Sequence, residues 1–112
     1  MNKDTYVHLF HILIIGTLFL YLGIEKTNIP SFMYPILIIL GIVVILYHSY
    51  KAYTRIMKHE TAWINYIHIF IVGPLLVYIG YKNKATKPRF FELLLMLGFA
   101  AIGYHGYYLF KD

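Results

Sequence analysis

Long apolar runs alternate with short polar breaks along the chain. The first run, Tyr6 to Ile24, ends at Glu25-Lys26-Thr27-Asn28, with Pro30 and Ser31 following. A second extends from about Phe32 to Tyr53 and stops in the polar stretch Thr54 to Thr61. The third covers Ala62 to Tyr81 and the fourth Phe90 to Phe110. Each holds roughly 19–22 residues, about 30 Å of helix, which is one hydrocarbon thickness. A tilted membrane strand needs only about half that length, and a helix satisfies its own backbone in lipid. The pattern predicts an all-α polytopic membrane protein, an antiparallel four-helix transmembrane bundle. The first run is longer than the apolar core of a signal peptide and lacks a small-residue cleavage site, so it is expected to remain as a span. The connections are too short for an extramembrane domain, and one membrane domain over residues 1–112 is expected.

Boundary residues fit this division. Ser31 and Thr61 are expected to cap helix starts, and Pro35 and Pro88 to sit in first turns, where a missing N–H costs little. Tyr6, Tyr53, Trp63 and Tyr81 fall where interfacial aromatic belts form. Pro74 lies inside the third run and should kink it by removing the bond to the Phe70 carbonyl.

The halves match without a gap when residue i is laid on residue i+57. Across positions 11–53, 14 of 43 pairs are identical, where chance would give roughly three, which marks a duplicated hairpin. The repeats cover about residues 6–53 and 63–110. Identical pairs include His11/His68, Gly16/Gly73, Tyr21/Tyr78, Gly23/Gly80, Gly41/Gly98, Tyr47/Tyr104, His48/His105 and Tyr50/Tyr107. Two helices per unit return the chain to its starting side, so the repeats should be parallel, with both termini on one side. The first and third helices would form one diagonal, the second and fourth the other. The paired glycines Gly16, Gly23, Gly73 and Gly80 suit close helix approach.

Composition sharpens the class. The chain is 60% hydrophobic and 13% charged, against about 25% charged in soluble domains. That excludes a soluble enzyme and a disordered chain. The absence of cysteine removes disulfide scaffolds, thiolate metal sites and thiol nucleophiles. The formal charge of +5 does not point to nucleic acid, because the basic residues lie between the apolar runs. Lys3, Lys51, Arg55, Lys58 and Lys111 fall at one membrane face, and Lys26, Lys82, Lys84, Lys87 and Arg89 at the other. The partner implied is the bilayer itself, with its anionic headgroups. The even split leaves orientation undecided. A phosphate loop, G-x-S-x-G, H-E-x-x-H and paired intramembrane carboxylates are all missing, so hydrolase and transferase chemistry is not expected.

Candidate chemistry lies in histidine, which is costly in a bilayer and usually faces the protein interior. His11, His48, His68 and His105 each fall about five residues below the same face, roughly 8–10 Å deep. One imidazole per helix at one level would form a ring. His8 is one turn above His11, but Asn65 replaces it in the second repeat, so it is left out of the ring. His59 is expected to be an ordinary surface residue. Three readings stand. The histidines could be interhelical hydrogen-bonding groups in a structural protein. They could ligate one b-type haem for electron transfer, with His48 and His105 as the axial pair. On that reading Gly41 and Gly98, each seven residues before its histidine, open space for a porphyrin edge. His11 and His68 would then support the site, with Tyr47, Tyr104 and backbone carbonyls as candidate acceptors for the outer imidazole nitrogens. Lastly, they could hold a bare zinc or copper ion, or line a small carrier. The haem reading leads, and with it a redox partner. A homo-oligomer is compatible with all three.

The stretches His11 to Gly23 (HILIIGTLFLYLG) and His68 to Gly80 (HIFIVGPLLVYIG) resemble the tandem hairpin of small uncharacterised membrane proteins of large DNA viruses. That resemblance implies a viral or host-derived membrane and no particular chemistry. Histidines on diagonal helices are also similar in arrangement to those of membrane b-type cytochromes, an analogy of architecture.

Overall fold

The structure, a computed structural model, describes residues 3–111, with side chains from residue 4 onward. Lys3, counted above among the basic residues, lies outside the described side chains. Four helices follow in order: α1 (Asp4–Asn28), α2 (Met33–Met57), α3 (Trp63–Ala85) and α4 (Pro88–Lys111), each long and apolar enough to cross a membrane. No strand occurs among the described residues. Phe10, Leu13, Ile39, Leu46, Phe70, Met96 and Phe99 point outward and are exposed. A run of large exposed apolar side chains on every helix is costly in water and ordinary in lipid.

The boundaries differ from expectation in two places. α2 runs to Met57, one turn beyond Tyr53, because Thr54 and Arg55 end the apolar stretch without ending the helix. A basic residue there also suits the negative end of the helix dipole. Ser31 and Thr61 do not cap. The residues in the cap positions are Phe32 and Ala62, with no side-chain cap bond at either. Pro88 opens α4 and Pro35 sits in the first turn of α2.

The chain forms two compact units. Residues to Ile29 and from Lys87 make one, and Pro30–Thr86 the other. The first therefore joins α1 to α4, and the second joins α2 to α3. In the first unit a Cβ on Gly16 would lie 2.6 Å from Ile102 Cγ1, and one on Gly23 would lie 2.5 Å from Leu95 Cβ. In the second, a Cβ on Gly73 would lie 2.4 Å from Ile45 Cγ1, and one on Gly80 would lie 2.5 Å from Ile38 Cγ1. Laid at the offset of 57, these are the same contacts: Gly16 on Gly73 with Ile45 on Ile102, and Gly23 on Gly80 with Ile38 on Leu95. The partners run antiparallel in both units, so the start of α1 lies beside the end of α4.

Each unit buries matching side chains. Phe19, Leu22, Phe91 and Leu94 are buried in the first, and Leu76, Ile79, Tyr34 and Leu37 are their equivalents in the second. One substitution breaks the match chemically. Tyr34 stands where the other unit has Phe91, and its hydroxyl is buried with no hydrogen-bond partner. An orphaned buried hydroxyl costs about 1–3 kcal/mol. Tyr34→Phe should therefore leave the protein as stable or more stable, by up to about 1 kcal/mol, as read by thermal unfolding in detergent. A clear loss of stability would mean that the hydroxyl has a role the packing does not show.

α1 and α3 share a second feature. Each widens into a π-helical stretch, His11–Gly16 in α1 and His68–Val72 in α3. In α3 the Gly73 N–H reaches back five residues to the His68 carbonyl, just before Pro74. The proline does not explain both stretches, because α1 has Thr17 at that place. What the two helices do share is a histidine at the first π residue. Its Nδ1 donates to the carbonyl four residues back, His11 to Val7 and His68 to Ile64, at 2.8 Å in each case. A side chain that takes a ladder carbonyl perturbs the ladder locally.

Candidate functional site

The histidines gather in two clusters, one in each unit. In the first, His8 and His11 are three residues apart on α1 and so share a face. That face meets His105 on α4. The Nδ1 atoms of His8 and His105 are 2.8 Å apart. His11 stacks on His105 with ring centroids 4.2 Å apart and planes 19° from parallel. Tyr104 meets the His105 ring edge-on at 5.1 Å, and Tyr108 lies against His8 at 6.2 Å. Lys111 places its ammonium 5.3 Å from the Tyr108 ring. His105 is 8% exposed.

The second cluster repeats the three-ring plan with an amide in place of one imidazole. Asn65 and His68 share a face of α3 and meet His48 on α2. Asn65 Nδ2 donates to His48 Nδ1 at 2.9 Å. His48 and His68 stack with centroids 3.9 Å apart and planes 13° from parallel. Tyr47 meets the His48 ring edge-on at 5.2 Å. Asn65 is 3% exposed, and its Oδ1 has no hydrogen-bond partner.

These bonds constrain the protons. A carbonyl oxygen only accepts, so His11 and His68 carry hydrogen on Nδ1. His48 Nδ1 accepts from the amide and so carries none while that amide orientation holds. Between His8 and His105 one Nδ1 must be protonated and the other not, since two lone pairs or two N–H groups cannot share a 2.8 Å contact.

The clusters differ from the expected site in several respects. His48 and His105 belong to different units, and each is engaged by a histidine of its own unit. Gly41 and Gly98 do not open space for a porphyrin. A Cβ on Gly41 would lie 2.7 Å from both the Gly73 carbonyl oxygen and Val77 Cγ2, and one on Gly98 would lie 3.0 Å from Phe19 Cβ. The facing helix already fills both slots. The Nδ1 atoms of His48 and His105 bond to Asn65 and His8, while Tyr47 and Tyr104 offer ring edges. Among the described residues no three His, Asp or Glu side chains are placed to hold a metal ion.

Two residues at the heart of the clusters, His8 and Asn65, lie outside the expected ring. They differ from one another, yet they occupy equivalent positions and make equivalent bonds. The available signal was their spacing, three residues before His11 and His68. His59, by contrast, is exposed in the connection between α2 and α3 with a left-handed backbone, φ 61°. Comparison with protein-family models, curated proteins and solved structures finds no match.

Proposed function

We propose that this is an integral membrane protein with a structural role, in which buried imidazole clusters fasten pairs of membrane-spanning helices. The four helices cross the bilayer as two parallel hairpin repeats, with both termini on one side. The basic residues at both ends meet anionic headgroups. In this role the histidines are interhelical hydrogen-bonding and stacking groups, a use of polar side chains that lipid favours because no water competes. The observation that carries this reading is the recurrence of one bonding plan in both units: a histidine on α4 or α2 bonded to one polar residue of the facing helix and stacked on a second, three positions further on.

The test is a comparison of colour and stability. Protein produced with ample haem and purified in mild detergent should show no Soret band. His48→Ala and His105→Ala should lower the melting temperature with no change in the visible spectrum. A Soret band that disappears in His48→Ala would overturn the reading in favour of a cofactor protein.

A further inference from the structure

Besides Tyr108 and Lys111, which stand where the other repeat has Lys51 and Thr54, the two clusters differ at the polar position bonded to the α4 or α2 histidine, His8 in one unit and Asn65 in the other. This difference changes how each cluster meets an added proton. We propose that the His8–His105 pair, packed against His11, accepts one extra proton and breaks on a second, so that acid loosens α1 from α4 while α2 stays on α3. The proposal rests on the structural reading of the histidines given above.

The chemistry follows from the 2.8 Å separation of the two Nδ1 atoms. In the neutral pair one ring donates its Nδ1–H and the other accepts. The accepting ring carries its own hydrogen on Nε2. A first added proton binds Nε2 of the donating ring. The Nδ1–H···Nδ1 bond survives and becomes charge-assisted, which strengthens it. A second proton must enter the accepting ring, whose Nδ1 lone pair is the one engaged in the bond. Two N–H groups would then face each other across a hydrogen-bond distance, with two cations in contact. His11, stacked 4.2 Å from His105, crowds that ring from one face. The bond must open.

Asn65 behaves differently, because an amide has both a donor and an acceptor at its tip. With His48 neutral, Asn65 Nδ2 donates to it and Oδ1 is stranded without a partner. If His48 gains a proton on Nδ1, a half-turn of the amide brings Oδ1 to accept it. The contact between α3 and α2 is kept in both protonation states. An amide can reverse its hydrogen bond, and a second imidazolium cannot.

The other groups near the first cluster are few. On α1, Asp4 lies one turn before His8 and is exposed. On α4, Tyr104, Tyr108 and Lys111 surround the ring pair. Lys111 adds a positive charge at this end, which further opposes a second cation in the cluster. Among the described residues Asp4 is the carboxylate one turn away, and its exposure weakens what it can offset.

The reciprocal exchange His8→Asn and Asn65→His tests the proposal in the full chain in detergent. Melting temperatures are read from about pH 8 to about pH 5, across the usual imidazole range. The wild-type protein should lose several degrees at the acid end. His8→Asn should flatten that loss while leaving the value near pH 8 almost unchanged. Asn65→His should steepen it. An equal acid loss in wild type and His8→Asn, or no acid loss in wild type, would overturn the proposal. ¹⁵N imidazole NMR of the wild type reads the same site without substitution. Near pH 8 it should show one protonated and one unprotonated Nδ1 coupled across the bond, a coupling that acid removes. Two independently titrating rings would refute the shared proton. Failure of the structural role itself shows elsewhere, as an unchanged melting temperature for His105→Ala near pH 8.

Discussion

Gly23→Ala should separate α1 from α4, at a cost above about 3 kcal/mol. Overpacking of a well-filled contact usually costs about 1–3 kcal/mol, and more where backbone must move. Here the added methyl would lie 2.5 Å from Leu95 Cβ, 2.8 Å from its Cα and 3.0 Å from its backbone nitrogen. No rotamer change in Leu95 clears those atoms, so the helices themselves must part. Gly80→Ala should behave alike in the other unit, where the methyl would meet the Tyr34 carbonyl oxygen at 2.6 Å. Gly103→Ala is the control: nothing lies within 4 Å of its Cβ position, and alanine is the better helix former by about 1 kcal/mol. Thermal or denaturant unfolding in detergent, followed by circular dichroism, separates the three. If Gly23→Ala unfolds at the wild-type midpoint, the close approach of α1 and α4 is wrong.

His105→Ala should be the most damaging of the histidine substitutions, lowering stability by about 2–3 kcal/mol. The side chain is buried, bonds to His8 and stacks on His11. A membrane interhelical hydrogen bond is worth about 1 kcal/mol, and an aromatic stack about 0.5–1.5 kcal/mol. The rest comes from the cavity. A double-mutant cycle with His8→Ala isolates the bond. The two losses should fall short of additivity by about 1 kcal/mol. Strict additivity would show that the 2.8 Å contact contributes nothing. His11→Ala should cost less than His105→Ala, because His11 spends its Nδ1–H on Val7 of its own helix and reaches α4 through its ring face.

The helices were legible because apolar run length alone selects them. The offset repeat also singled out the glycines that meet the facing helix in each unit. What a linear pattern does not carry is azimuth. Equal depth placed His48 and His105 together as an axial pair, but depth along a helix says nothing about which helix each faces. The pairing of α1 with α4 and of α2 with α3 joins each to a different neighbour. Identity between repeats misled in a related way at His8 and Asn65. Different side chains can make the same N–H···N bond, so a search for identical residues discards them. At Gly41 and Gly98 a sequence shows a missing side chain but not the facing helix that takes its place. The π-helical stretches left no sign except Pro74, which has no counterpart in α1. Ser31 and Thr61 have the chemistry of caps but stand one position too early.

Equivalent contacts in the two units close at very different times during synthesis. His48 and Asn65 are 17 residues apart, and His8 and His105 are 97 apart. The α2–α3 pair can close once α3 has left the ribosome. α1 is made first and must wait for the last helix. Loop closure alone makes the longer connection costlier by about 1.5 kcal/mol, for a contact of the same kind. Until α4 is made, Gly16 and Gly23 of α1 lack the helix that covers them. A chain stalled before Pro88 would hold a finished α2–α3 pair and a first helix without its partner.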